Sequence, residues 1–317
     1  MRLGAAAAGA LAFGRRPLVA LDRPDAVTLC GSSSSPQELL HRAVPSTGER
    51  LPAVGLGTYG SFSDAARRVD EHRRLRRVLR DFTGAGGRVI DAAPPYHAAE
   101  DLLGDLAQEL GVGDDVFWAA NVSIRASGGR DAGERQVVET FENLGPPDLY
   151  QVHDLLRWQF QLPLLRDLKA EGRIRYVGVT VDRPDLHDEL EPVLRAEALD
   201  FVQLDYSAAN RHAEERLIPL ARDRGVAVLV NGPFDRGRLF RRAGAHPFPV
   251  WAREFGADTW AQLFLKWVLA EEAVTAVLPG TADPEHVREN VAAGLGRLPD
   301  PEERTRITRL VEGLPGG

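Results

Sequence analysis

Lysine is nearly absent from this chain of 317 residues: of its 39 basic side chains only Lys169 and Lys266 are lysines, and the rest are arginines. Cysteine occurs once, at Cys30, so the chain can form neither an internal disulfide nor a thiolate-rich zinc site. The eight histidines, His41, His72, His97, His153, His187, His212, His246 and His286, never stand three to five residues apart. That excludes helical metal-ligand pairs of the HExxH kind, and no metal is expected. No apolar run is long enough to span a bilayer. A formal net charge of −7 makes a dedicated nucleic-acid binder a poor fit.

What is present is ordinary for a globular chain, with 44% apolar and 27% charged residues. The length suits one large α/β barrel. The first residues stand apart. Leu3 to Phe13 (LGAAAAGALAF) is a short apolar run of small residues, with ALA at Ala10 to Ala12. It has the form of the apolar part of an export signal, although the pair Arg15–Arg16 follows the run instead of preceding it. Residues 22–48, including SSSSP at Ser32 to Pro36, have the composition of a linker. Residues 1–48 are therefore read as an extension, a signal remnant plus linker, and 49–317 as a single folded domain. The cytoplasm is the expected compartment for the chain as it stands; export through the signal-like segment is the alternative.

From residue 88 the pattern alternates. Short apolar runs, RVID, VFWAANV, DLYQVH, YVGVTV, FVQLDYS, VAVLVNG and AVTAVLPG, are each followed by a segment with apolar residues at helical spacing. Such units call for a parallel sheet covered by helices, and seven or eight of them predict a (β/α)8 TIM barrel. An eighth strand is expected faintly near Gly294 to Leu298, and Pro192 is expected to interrupt the fifth helix. The segment Asp64 to Phe82 carries seven arginines, but Leu75, Val78, Leu79 and Phe82 mark an apolar face, so the arginines are assigned to solvent.

Gly55, Gly57 and Gly60 in GLGTYG imitate the GxGxxG of a dinucleotide-binding βαβ unit. The preceding LPAV is short and contains proline, and SFS separates the glycines from the helix they should open. A glycine-rich turn at one end of the barrel is the preferred reading.

In such a barrel the chemistry sits at the C-terminal ends of the strands. There the sequence places Asp91 with Tyr96 just beyond it, Asn121, His153, Thr180, Gln203 with Tyr206, Asn231, and Gly280 with Thr281. A phenol, an imidazole and a carboxylate on one rim make a proton-transfer site. Each also has a plain structural explanation, such as capping a turn or packing in a loop.

The segments LPAVGLGTYG, RVIDAAPPYHAAEDLLG, DLYQVHD, GRIRYVGVT, FVQLDYS and VLPGTADPEHVREN, in this order, resemble the aldo-keto reductases from about Leu51 onward. The nearest likeness is to members preceded by an export-signal-like segment. The resemblance implies an NAD(P)H-dependent reductase of aldehydes or ketones, with NADP(H) as the leading cofactor and NAD(H) as the second. Tyr96 matches the family's proton donor, His153 the residue that orients the carbonyl, and Asp91 the aspartate. The family lysine that pairs with the aspartate falls at Asn121.

The cofactor positions implied are Thr180, Gln203, Asn231, Gly232, Pro233, Phe234, Gly280, Thr281, His286, Glu289 and Asn290. Tyr59, His97 and Trp158 are assigned to the substrate. A small-molecule carbonyl compound is the only partner implied, and oligomeric state is not legible. Loss of the lysine removes a cation that would lower the tyrosine pKa from about 10. A shift of roughly two units is worth up to a hundredfold in rate. The expectation is a slow or acid-shifted reductase, with Asp91 raised in pKa. The alternative is a redox-impaired barrel acting as a ligand-binding protein or as a non-redox acid–base enzyme.

Overall fold

Alternation along short strands builds the centre of the molecule. The computed structural model describes residues 38–62, 69–92, 97–124, 129–244 and 246–315. A hairpin of β1 (His41–Ala43) and β2 (Arg50–Pro52) comes first. Eight parallel strands follow: β3 (Leu56–Gly57), β4 (Val89–Ala92), β5 (Phe117–Val122), β6 (Leu149–His153), β7 (Tyr176–Thr180), β8 (Phe201–Asp205), β9 (Ala227–Asn231) and β10 (Val274–Val277). They pair in chain order. The first and last also meet: Gly55 N donates to Val277 O at 2.8 Å, and Gly57 N to Pro279 O at 3.1 Å. The sheet is therefore a (β/α)8 barrel, as the sequence pattern predicts.

Inside the barrel, residues two apart share the inner face. The N-terminal halves of the strands bring Val89, Phe117, Leu149, Tyr176, Phe201 and Ala227 into one cluster with Ala276 of β10 and Leu51 of the hairpin. The Phe117, Tyr176 and Phe201 ring centroids lie 5.2–5.9 Å apart. This apolar plug, worth roughly 1.5–3 kcal/mol per fully buried large side chain, fills one end. Further along the same strands the inner face turns polar, with Asp91, Asn121, Gln151, His153, Thr180, Gln203 and Asn231. Outer-face residues such as Ile90, Val152 and Val179 pack against the helices.

Those helices are α1 (Val69–Gly84), α2 (His97–Leu110), α3 (Arg130–Leu144), α4 (Trp158–Ala170), α5 (His187–Ala196), α6 (His212–Glu215), α7 (Leu217–Asp223), α8 (Arg238–Ala243), α9 (Trp260–Leu269), α10 (Pro284–Ala292) and α11 (Pro301–Gly313). In α1, Leu75, Val78, Leu79 and Phe82 are fully buried. Arg73, Arg74, Arg76 and Arg80 pair with acids at the surface, the solvated face expected of them. No described helix is long and apolar enough to cross a membrane.

Three local expectations change. The glycine motif supplies the barrel's short first strand at Leu56–Gly57, and Gly60 takes the expected turn at the cavity mouth (φ 68°); a Cβ on Gly55 would stand 2.7 Å from Val89 O, and one on Gly57 2.9 Å from Leu278 O. These glycines permit close approach of backbones and form no phosphate loop. Residues 294–298, expected to hold an eighth strand, form a turn, a bend and irregular backbone; the carbonyls of Leu295 and Arg297 accept from the buried Lys266 ammonium instead of from a neighbouring strand. Pro192 does not interrupt α5, although it stands in the middle of the helix; the missing N–H frees only the carbonyl of Asp188, an exposed residue in the first turn.

The hairpin also belongs with the barrel: the compact unit begins at Gln37, so the boundary read at 48 falls within it. The signal-like segment and Cys30 lie outside the described residues.

Candidate active site

Strand register decides which polar groups meet. Asp91 on β4 pairs with Ala119, and Asn121 on β5 pairs with Gln151. His153 on β6 pairs with Thr180, which in turn pairs with Gln203 on β8. The result is a closed ring of side-chain hydrogen bonds across the barrel. Asn121 Nδ2 donates to Asp91 Oδ1 at 3.0 Å, and Gln203 Nε2 donates to Asp91 Oδ2 at 3.1 Å. Gln151 Nε2 closes the ring, donating to Gln203 Oε1 at 2.9 Å and to Asn121 Oδ1 at 3.4 Å. Gln151 Oε1 is left buried without a hydrogen-bond partner.

This ring stands where a lysine–aspartate ion pair was the family expectation. Asp91 is not without partners, but they are neutral amides. Burial raises its pKa above the ordinary carboxylate value, and the two amide donors and the nearby His153 only partly oppose the rise. The direction is the one expected from loss of the lysine.

His153 ends β6 with its ring 19% exposed. Its Nδ1 lies 3.3 Å from Asp154 Oδ2, a charge contact without hydrogen-bond alignment. Burial disfavours the imidazolium, but Asp154, Asp91 and Asp182 together outweigh it and hold the His153 pKa above its usual value. Asp154 is lowered in return: burial works against the shift and is overcome by the His153 charge. Asp182 is raised, chiefly by burial and by Asp154, although Arg236 Nη2 donates to its Oδ2 at 3.0 Å.

His153 and Asp182, but not Asp154, line a cavity of about 450 Å³. Asp91, Asn121, His153, Thr180, Gln203, Asn231, Gly232, Pro233, Phe234, Gly280 and Tyr59 all reach it. A second cavity, of about 500 Å³, shares Phe234, Phe240 and Gly280 with the first. It collects Thr281, His286, Glu289 and Asn290, and adds Phe248, Asp258, Thr259 and Trp260. Among the described residues, the non-glycine positions with left-handed backbone are Asp154, Leu155, Arg157, Asp235 and Arg236, all in the two loops that leave β6 and β9 at this mouth. Such strain gathers where surrounding structure fixes a functional loop.

Trp158 packs against the core and is not among the lining residues. Tyr206 is fully buried, its hydroxyl donating to Glu214 on the outer side of the barrel. Tyr96 and the side chain of His97 lie outside the described residues. Gln151, Asp154 and Asp182 were missed by sequence reading; Gln151 stands two residues before His153 and Asp182 two after Thr180, a signal that strand periodicity offers. Among the described residues no group of His, Cys, Asp or Glu gathers as a metal site.

A closed parallel barrel with acid–base groups on its C-terminal rim, lining a cavity that borders a second one, defines a TIM-barrel enzyme site. The model of the aldo/keto reductase family matches residues 53–312, and the chain belongs to that family, as an oxidoreductase. It is similar to the NADH-specific methylglyoxal reductase of Escherichia coli K12, 27% identical, with the match covering 83% of this chain and 96% of the relative. Among solved structures it is similar to an aldo/keto reductase from Klebsiella pneumoniae in complex with NADP and acetate, 27% identical with a TM-score of 0.70, covering 83% of this chain and 93% of that one. A Klebsiella pneumoniae aldo-keto reductase in complex with NADPH is 25% identical, with a TM-score of 0.71 and coverage of 87% and 96%.

Proposed function

We propose that this chain reduces small aldehydes or ketones with a nicotinamide nucleotide, at the rim where Asp91, Asn121 and His153 meet. The observation that carries the reading is the convergence of an imidazole and a half-buried carboxylate on one cavity that shares three lining residues with a second. The two cavities together fit an extended dinucleotide, with amide and hydroxyl groups at one end (Asn231, Thr180) and aromatic walls at the other (Phe248, Trp260). A bound reduced nicotinamide nucleotide supplies the hydride that the carbonyl carbon accepts.

The chain's own task is to orient the carbonyl and place a proton on its oxygen as negative charge develops there. His153 serves as the orienting donor, and its carboxylate neighbours keep it protonated to higher pH than a free imidazole. Tyr96 is the proton donor that the family resemblance implies. Asn121 holds Asp91 by a neutral hydrogen bond, so no lysine cation is at hand to sharpen the phenol, and slow or acid-favoured turnover follows. The name of the Escherichia coli relative makes methylglyoxal the first substrate to try.

The test is aldehyde-dependent oxidation of NADPH and NADH, followed by absorbance. Tyr96→Phe is expected to lower the rate about a hundredfold or more. Unchanged turnover in that variant overturns the donor assignment, and failure of both nucleotides to bind at millimolar concentration overturns the reductase reading.

One observation favours a second reading. Gln203 and Asn231, which the resemblance assigns to the cofactor, give their amide donors to Asp91 and to Val181 O. A barrel that keeps its pocket but lacks efficient redox chemistry, as a ligand-binding protein or a non-redox acid–base enzyme, accounts for that arrangement.

A further inference from the structure

Resting on the reading of a nicotinamide nucleotide above, we propose that the second cavity selects a free ribose 2′-hydroxyl, so that this chain takes NADH in preference to NADPH. A hydride donor has to present its ring beside His153. The rest of the dinucleotide then runs past Phe234, Phe240 and Gly280, and its adenosine end lies in the second cavity. The walls there suit a purine: Phe248 and Trp260 meet edge to face with ring centroids 5.7 Å apart.

What the described walls lack is a permanently charged cation, His286 being their one basic side chain. Asp258 and Glu289 line the cavity, and none of its described lining residues is lysine or arginine. Arg253 reaches Asp258 only loosely, at 3.5 Å, and is not part of the lining. Arg288, the single guanidinium on α10, is committed elsewhere. Its Nε and Nη2 donate to Asp81 Oδ2 of α1 at 3.2 and 2.9 Å.

The N-terminus of α10, where free N–H groups ordinarily attract phosphate, is already filled. Asp283 Oδ1 accepts from Glu285 N at 2.8 Å as the helix cap. A 2′-phosphate arriving there meets a carboxylate in the place of an anion hole.

The consequence is selectivity. A phosphate monoester brings between one and two negative charges near neutral pH, into a cavity whose described lining holds two carboxyl side chains and neither lysine nor arginine. A 2′-hydroxyl donates a hydrogen bond to a carboxylate instead. This is the same division of labour by which acidic residues receive the ribose of NAD, and arginine the 2′-phosphate of NADP, in other dinucleotide folds. The two ligands differ at that position alone, so the repulsion appears directly as a difference in affinity.

Calorimetric titration of the full chain with NADH, NADPH, 5′-ADP and adenosine 2′,5′-bisphosphate tests this without turnover. NADH is expected to bind about tenfold or more tighter than NADPH, and 5′-ADP tighter than the 2′,5′-bisphosphate. Equal or tighter binding of NADPH overturns the preference while leaving the reductase reading in place. Binding of neither dinucleotide overturns both. His286→Arg adds a guanidinium to the cavity wall and is expected to tighten NADPH about tenfold more than it tightens NADH. Equal tightening of the two dinucleotides in that variant overturns the inference, as does a gap that stays unchanged when Asp258→Asn and Glu289→Gln are combined.

Discussion

Asn121 Nδ2 donates to Asp91 Oδ1 across 3.0 Å, so a neutral amide on β5 occupies the place from which the family resemblance expects a lysine to face the β4 carboxylate. The carboxylate gains a hydrogen bond without gaining a counter-charge. In a partly dry barrel mouth a hydrogen bond offsets only part of what burial takes from an ionised group.

Replacing Asn121→Lys therefore decides between the two functional readings. If the chain is a weakened reductase, the restored cation lowers the donor pKa and raises kcat for aldehyde reduction by up to about a hundredfold. No gain in a folded variant that still binds the nucleotide supports the barrel without redox chemistry. Steady-state kinetics on both proteins give the answer.

His153 sets the second expectation. Its folded pKa lies above the free value because three carboxylates outweigh its burial. The imidazolium and the stability it contributes are thus fully present below the unfolded pKa of about 6.5, and are lost as pH rises through the higher folded value. Reductase activity is expected to decline over that same rise. Asp154→Asn removes the carboxylate 3.3 Å from Nδ1 and is expected to move the decline to lower pH. A pH–rate profile with the His153 imidazole titrated by NMR follows both, and an unmoved profile rules out this pairing.

Glu100 makes stability depend on pH in the same direction. It is 1% exposed in α2, and Thr140 Oγ1 lies 3.2 Å from one of its oxygens. Burial lifts its pKa to about 7 from an ordinary 4.5, with Glu139 adding to the rise. A carboxyl raised in this way contributes stability below pH 4.5 that is lost as pH rises through 7. The shift is worth about 3 kcal/mol at full expression. Denaturant melts from pH 5 to pH 8 are expected to lose stability in the native chain and to be flatter in Glu100→Gln.

Lys266 is fully buried, and burial lowers its pKa to about 8. It donates to Leu295 O at 2.6 Å and to Arg297 O at 3.1 Å, tying down the segment after α10. Lys266→Met leaves two carbonyls without their donor and is expected to cost about 1–3 kcal/mol, read as a lower denaturant midpoint.

The rim residues Asp91, Asn121, His153 and Thr180 were legible because each ends an apolar strand, and strand ends are where a parallel barrel opens. The short strand at Leu56–Gly57, entered through Gly55, was not. Its two glycines are demanded by backbones from β4 and from the segment after β10, which come near only once the barrel closes. Lys266 was likewise hidden, since its carbonyl partners stand 29 and 31 residues away.

The order of strands and helices and the identity of the polar residues at the mouth were written in the chain, because residue periodicity and strand ends are local properties. Which of those polar groups touch was decided by register, a relation between strands far apart in sequence. Only the closed barrel brings Gln203 to Asp91 across 112 residues. Only helix packing turns Arg288 away to Asp81, 207 residues distant, and leaves the far cavity without its guanidinium.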